Sequence, residues 1–437
     1  MIQMRVFLQK MSFNGIKNIK NTITIDFSNK TLNNELSDYT KVKAIYGPNG
    51  AGKTAVVDAF RFYQALTTEK TRLYNREFQD EIIETMNKLT SRIELSFTAI
   101  IIHEDDVPVK VKHDIELSLK DKEVIISNEN LYVYKNVKSE VISKSIKQAN
   151  GVVMFNKAGQ EKVVGFEVTK RSIVEMYQAY QGMLFEKKTR WENLSKQDQI
   201  DFSFIFNFFW LSDALYIISE NADEHSYYFI NRKEEQQNQF NDSAQRVRHS
   251  IYDEIILASE LEGYKTFYAK IEKFIKVFKT DLVSIDIEDK PVTQNEIRAE
   301  KYFNYGKYRV HMEFESAGIK KLVKLYAAIH NAINGRITVI DEFDANINDI
   351  YLNKLIEYVI YNAKGQLIFT THNTSPMDTL RPHKRSIDFI NELGEIVNWI
   401  INGNASPSKW YSNGAIEGLP FNINAFDFVG LFDEETT

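Results

Sequence analysis

The stretch at residues 41–60, KVKAIYGPNGAGKTAVVDAF, restricts the fold more than any other part of the chain. Val42, Ala44 and Ile45 read as a short apolar strand, and Val56, Val57, Ala59 and Phe60 fall on one helical face. Between them lies GPNGAGKT, residues 47–54, with two glycines five apart followed by lysine and a hydroxyl residue. Glycine at 47, 50 and 52 lets the backbone wrap around phosphates and aim successive N–H groups inward. Asn49, Gly50, Ala51, Gly52, Lys53, Thr54 and Ala55 are therefore the candidate contacts to a nucleotide. Lys53 supplies a cation for the β- and γ-phosphates and Thr54 a hydroxyl ligand for Mg²⁺.

A phosphate loop binds; hydrolysis needs carboxylates as well. The segment ITVIDE runs from four mostly apolar residues, Ile337 to Ile340, into Asp341 and Glu342. A buried strand ending this way presents Asp341 as the residue that holds the metal and Glu342 as the one that orients or deprotonates the attacking water. One helix later QLIFTTH delivers His372 at a strand end, where its imidazole can donate to a γ-phosphate. Just upstream, Ser316 stands at the N-cap position of a helix whose apolar face is Leu322, Leu325, Ala328 and Ile329. The Ser316–Gly318 turn offers exposed N–H groups to an anion, although an ordinary capped helix has the same appearance.

Composition narrows what surrounds this chemistry. At 437 residues the chain is longer than one core comfortably supports, so two or three structural units are expected. With 54 basic against 60 acidic residues the formal charge is −6, so nucleic-acid binding is possible through a local groove but is not indicated in bulk. There is no cysteine, which excludes disulfides, thiolate zinc sites and cysteine nucleophiles and suits a reducing cytoplasm. The opening MIQMRVFLQKMSFNG lacks the continuous apolar core of a signal peptide, so none is expected, and the most apolar window, residues 202–218, is shorter than the roughly 20 apolar residues a membrane span needs. That window reads as a buried helix, and no membrane partner is expected.

Along the chain, period-two alternation predicts strands around Val6–Leu8 and Ile23–Phe27. A helix is predicted from Ala55 to about Leu89, then a meander with separate strands at residues 93–97, 107–111 and 115–119 and hairpin-like segments near 152–155 and 163–166. Residues 168–278 read as helical, broken by an exposed polar loop at 231–245. Tyr264, Tyr268, Ile271, Ile275 and Phe278 mark one helix of that block, and short strands return from Leu282.

The order of GPNGAGKT, a large insertion, ESAGIKK, ITVIDE and FTTH resembles the phosphate loop, signature, acidic strand and switch histidine of ABC-type ATPases. More narrowly, GPNGAGKT, ESAGIKK, DEFDANIND, FTTHNTSPMD with LRPHKRSIDF, and the tail WYSNGAIEGLPFNI resemble the soluble ATPases of bacterial abortive-infection systems of the AbiLi kind, related to OLD-family and chromosome-maintenance-type ATPases. The stretch after the acidic strand reads ANIND, without the histidine that group often has there. The resemblance implies an α/β fold: a P-loop ATPase core with a mixed sheet, an antiparallel β-subdomain and an inserted helical subdomain. Its boundaries would be residues 1–167 for the N-terminal half of the core, 168–280 for the helical insertion and 281–437 for the C-terminal half. It assigns no metal-sensing glutamine, for which Gln64 and Gln79 are weak candidates, and points to the turn at residues 13–16 as the neighbourhood of adenine.

In such folds the signature of one subunit completes the nucleotide site of another. The resemblance thus implies ATP and Mg²⁺ as ligands, a homodimer or higher oligomer with Ser316 and Gly318 facing the partner's nucleotide, and a role as a defence ATPase controlling a separate effector protein. The alternative is a chromosome-maintenance-like DNA-repair or DNA-end-binding ATPase, against which stand the missing cysteine hook, the missing long heptads and the acidic balance. A transporter's cytoplasmic ATPase fits poorly with the distance from Gly47 to Ser316, and with about 60 residues after His372 that resemble the family tail, an appended nuclease is not expected.

Overall fold

The computed structural model describes residues 5–28, 40–68, 72–102, 107–149, 152–157, 160–164, 170–176, 203–219, 255–345, 347–383, 385–399 and 406–415. Its first nine strands are β1 (Arg5–Asn14), β2 (Ile23–Asp26), β3 (Val42–Tyr46), β4 (Arg92–Ile102), β5 (Pro108–Lys120), β6 (Glu123–Tyr134), β7 (Ile142–Ala149), β8 (Val152–Lys157) and β9 (Gln160–Val164). All but β3 join one antiparallel sheet in the order β2-β1-β4-β5-β6-β7-β8-β9. The alternation that predicts them is the alternation of burial: Ile93, Leu95 and Phe97 of β4 turn inward while Glu94 and Ser96 remain partly exposed. Helix α1 (Lys53–Thr68) packs on that inner face, with Phe60 edge-on to Phe97 and Tyr63 stacked on Phe97 at 4.1 Å.

The second sheet holds the phosphate-loop strand. Its members are β3, β10 (Leu215–Ile218), β15 (Ile337–Ile340), β16 (Gln366–Thr370), β17 (Ile387–Ile390) and β18 (Ile396–Asn398), in the order β10-β15-β16-β3-β17-β18. All neighbours are parallel except β17 and β18. Both faces are covered, so these strands are continuously apolar rather than alternating. Ile45, Val339 and Ile368 join the core shared with α1 and the antiparallel sheet, whereas Ala44, Ile340 and Phe369 join a second core on the opposite side. That second core is built by α4 (Leu261–Phe278), α5 (Ala317–Ile333) and α6 (Asp349–Asn362), together with a small sheet of β11 (Ile255–Leu257), β12 (Ser284–Pro291), β13 (Glu296–Asn304) and β14 (Arg309–His311). The aromatic stripe places Tyr264, Tyr268, Ile271 and Ile275 of α4 in it.

Several local expectations differ from the structure. The helix expected over residues 55–89 is two, α1 and α2 (Arg76–Thr85), because Asn75 caps a new start by accepting a hydrogen bond from the Phe78 N–H. The strands expected at 107–111 and 115–119 are one strand, β5. The polar residues between them do not turn, since His113 points into the core, bonded to Tyr63 at 3.0 Å and Glu129 at 2.9 Å. Within the stretch expected to be helical, α3 (Phe206–Asp213) gives way to β10, which extends the parallel sheet beside β15. A strand buried on both faces carries no period to read, and the buried helix expected over 202–218 is therefore helix only over Phe206–Asp213 and strand over Leu215–Ile218. The polar loop at 231–245 lies outside the described residues, as does Phe202. The last helices are α7 (Pro376–Leu380) and α8 (Pro407–Ser412). Among the described residues no helix is long and apolar enough to cross a membrane.

Candidate functional site

Strand β16 lies between β15 and β3, and the three run parallel, so their carboxyl ends emerge side by side. Asp341 and Glu342 follow β15, His372 follows β16, and residues 47–54 follow β3. Open α/β sheets bind ligands at such an edge.

The loop is shaped by hydrogen bonds to its own lysine. Lys53 donates to the carbonyls of Gly47 at 2.8 Å and Pro48 at 2.9 Å, drawing the loop into a ring around its ammonium. Gly50 and Gly52 have φ of 78° and 109°, values that residues with a Cβ rarely adopt. Asn49 and Gly50 face solvent, whereas Ala51 and Ala55 are buried, so these two can bring only their backbone N–H groups to a phosphate. Thr54 is partly buried in the first turn of α1, whose leading N–H groups have no intrahelical partners. Beneath the loop, Asn18 donates from Nδ2 to the Gly50 carbonyl at 2.8 Å, and Lys17 pairs with Asp58 of α1 at 2.7 Å. Phe13 and Ile16, the ends of the turn expected near adenine, are buried in the core, and the residues seen against the loop, Asn18 and Ile19, lie just beyond that turn.

The carboxylates are fixed by the neighbouring strand. Thr370 of β16 donates from its hydroxyl to Asp341 and accepts the Glu342 N–H at 2.9 Å. Asp341 is buried, while the Glu342 side chain is exposed at the edge. Burial lowers the Lys53 pKa to about 8, against the pull of Asp341, Glu342 and Asp344, which hold it from falling further. Partial burial and then the Lys53 charge lower the His372 pKa, opposed by Asp344, Glu342 and Asp341. Lys53 and His372 thus both stand within electrostatic reach of Asp341, Glu342 and Asp344. At neutral pH His372 is thus an uncharged ring with one N–H to donate.

Ser316 caps α5, accepting the Ile319 N–H at 3.3 Å, and both Ser316 and Ala317 are exposed with Gly318 half-buried. Because α5 leads into β15, its N-terminus lies at the carboxyl end of the strand, on the same face of the molecule as the acidic pair. Lys321, one turn into α5, donates to the Glu342 carbonyl at 2.9 Å. Burial lowers the Lys321 pKa, and Glu342 and Asp344 oppose that shift. Three residues at this edge, Lys321, Thr370 and Asp344, were not singled out by the sequence. Their signals were weak: a second lysine in ESAGIKK, the first threonine of FTTH and the aspartate two places after Glu342.

Gln64 donates to the Leu215 carbonyl at 2.7 Å, and Gln79 bridges the Leu73 carbonyl and the Val124 N–H. Both weak candidates for a metal-sensing glutamine are thus engaged in holding the fold. Among the described residues no group of three or more carboxylates and imidazoles could hold a metal alone. The donor set of one hydroxyl, Thr54, and one carboxylate, Asp341, still fits Mg²⁺, which is commonly held by one or two protein oxygens together with nucleotide phosphates and water.

Residues 186–378 match a family model described as "AAA domain, putative AbiEii toxin, Type IV TA system". The match spans less than half of the chain; it includes Ser316, Asp341, Glu342 and His372 and stops short of the phosphate loop. The similarity supports an α/β P-loop fold of the AAA-type ATPases, in keeping with the mixed sheet described above. No curated protein matches the chain.

Proposed function

We propose that the chain is a Mg²⁺-dependent ATPase whose nucleotide, bound by one copy, is closed over by Ser316 and Gly318 of a second. The observation that carries this reading is the arrangement of β3, β16 and β15, which sets a phosphate loop, an imidazole and an acidic pair at one sheet edge. Lys53 and the loop N–H groups bind the β- and γ-phosphates, and Asn18 keeps the loop in place. Mg²⁺, held by Thr54 and Asp341 with the phosphates, supplies charge neutralisation when bound. Glu342 orients the attacking water and accepts its proton, and neutral His372 donates to the γ-phosphate. Ser316 presents the exposed N-terminus of α5, where its own N–H bonds the Glu315 carboxylate at 3.0 Å and its hydroxyl accepts the Ile319 N–H, and this end would meet the nucleotide of the second copy.

In this reading ATP joins two copies and hydrolysis releases them, and the cycle reports infection by phage to a separate effector in the cytoplasm. The toxin–antitoxin wording of the matching family supports a defence role. The biochemical part is tested with purified chain, Mg²⁺ and ATP: phosphate is released with turnover, and Lys53→Ala abolishes ATP binding in calorimetry. A wild-type chain without turnover, or a Lys53→Ala variant of undiminished affinity, contradicts it. The defence part is tested by challenging cells that carry the chain with its neighbouring gene; Glu342→Gln should abolish protection or make the pair constantly toxic, and unaltered protection and growth contradict it.

A further inference from the structure

Glu342 has a left-handed backbone, with φ of 48°. For a residue with a Cβ this conformation costs of order 1–3 kcal/mol and persists only where the surroundings impose it. Backbone bonds hold it, from the Ala345 N–H to the Glu342 carbonyl at 3.2 Å and from the Phe343 N–H to the Thr370 carbonyl at 3.0 Å, and two side chains from different elements add to them. From the sheet side, Thr370 accepts the Glu342 N–H at 2.9 Å while its hydroxyl donates to Asp341. From the helix side, Lys321 donates to the Glu342 carbonyl at 2.9 Å. The sheet contact is anchored on a fully buried strand, β16. The helix contact depends on where α5 stands.

Lys321 lies five residues after Ser316, about 7.5 Å along the axis of the same helix. A helix of 17 residues packed through Leu322, Val323 and Leu325 moves as a unit, so a displacement at its N-cap reaches Lys321 undiminished. A shift of about 1 Å is enough to make or break a 2.9 Å hydrogen bond. With the bond lost, the Glu342 carbonyl keeps only the Ala345 N–H at 3.2 Å, and the strained peptide is held less tightly in the orientation that aims its carboxylate at the water.

We propose that Lys321 is a positioning residue that ties the orientation of Glu342 to the position of the α5 N-terminus, so that contact of Ser316 and Gly318 with a partner's nucleotide sets Glu342 for hydrolysis of the nucleotide in its own chain. The inference rests on the ATPase reading above and adds a direction of signal to it: each site of the dimer licenses the other. A lysine that merely satisfied a surface carbonyl would stabilise the turn without affecting the rate of chemistry at bound ATP.

Lys321→Met keeps the aliphatic stem and removes the donor; Lys321→Arg keeps a charged donor. In the full chain with Mg²⁺, Lys321→Met should bind ATP with the wild-type affinity by calorimetry and form the ATP-dependent dimer, while turnover at saturating ATP falls by tenfold or more, toward the roughly 100-fold that about 1 Å of misplacement costs. Lys321→Arg should restore most of that rate. Should the methionine variant fold poorly, Lys321→Gln is measured in the same way, with the same fall in turnover at unchanged affinity expected. A methionine or glutamine variant that turns over at the wild-type rate overturns the inference and leaves the ATPase reading standing. A fall in ATP affinity parallel to the fall in rate, or an arginine variant as slow as methionine, also overturns it. A wild-type chain that binds no ATP removes the ATPase reading and the inference together.

Discussion

Lys53 is the residue on which the account depends first, and its surroundings make it testable by titration. It is 7% exposed, ringed by the Gly47 and Pro48 carbonyls, and burial lowers its pKa to about 8. The polyanionic phosphates of ATP stabilise the charged form, so binding raises that pKa. Near pH 8, where about half of the free chain carries a neutral lysine, ATP binding must take up protons; at pH 6.5 it should take up almost none at this residue. Affinity is then highest below the free-state value and declines as pH rises through about 8 toward 9. Calorimetry in buffers of different ionisation enthalpy measures the uptake, and an enthalpy independent of buffer at pH 8 counts against this environment for Lys53. Partial burial, and then the Lys53 charge, lower the pKa of His372. Its lowered pKa keeps it neutral at pH 7, so His372→Ala should slow turnover while leaving ATP affinity intact, and a loss of affinity instead would assign it to binding. The sequence pointed to Lys53 through the spacing of the glycine loop, and to Asp341, Glu342 and His372 through the readable strands they follow. Lys321 and Thr370 were not legible in it, because a helix lysine and a strand threonine acquire their meaning from a neighbour that only the fold supplies.

The elements repeat this division. Strands with one exposed face announced themselves by period two, and β1, β2 and β4 stand where the alternation of Val6, Ile23 and Ile93 put them. Strand β10 has both faces covered, so Leu215, Tyr216, Ile217 and Ile218 looked like the end of an apolar helix. His113 misled in the other direction: a polar residue suggested a turn, and its partners Tyr63 and Glu129 lie 50 and 16 residues away. The loop–helix junction shows how closely one element is cut to another. Gly52 has φ of 109°, and a Cβ there would lie 2.6 Å from Cδ1 of Ile19. Gly52→Ala should therefore incur about 1–3 kcal/mol of backbone strain besides the collision. Its melting temperature should fall and its ATP affinity with it, and trimming Ile19 to Ala in the same chain should relieve the collision without restoring affinity, since the strain remains. Full affinity in the single variant would show that the loop does not hold nucleotide in the conformation described.

At the scale of the whole molecule, two sheets share helix α1 between them, and the loop, the acidic pair and the capped end of α5 open onto one face. In the proposed dimer the N-terminus of α5, where the Ser316 N–H bonds the Glu315 carboxylate at 3.0 Å, meets the nucleotide of the partner. Ser316→Arg places a bulky cation there; it should leave ATP affinity of the single chain intact and abolish the ATP-dependent dimer, as sedimentation with and without ATP would report. The most direct test of the central claim is Glu342→Gln. The amide keeps the shape of the side chain and leaves Asp341 and Thr54 in place, yet cannot accept the proton of the attacking water, so turnover should fall roughly 100-fold or more. ATP remains bound between Lys53 of one copy and Ser316 of the other, and size-exclusion chromatography with light scattering in ATP and Mg²⁺ should show a long-lived dimer or larger assembly. A Glu342→Gln chain that hydrolyses ATP at the wild-type rate, or that stays monomeric with ATP bound, contradicts the account.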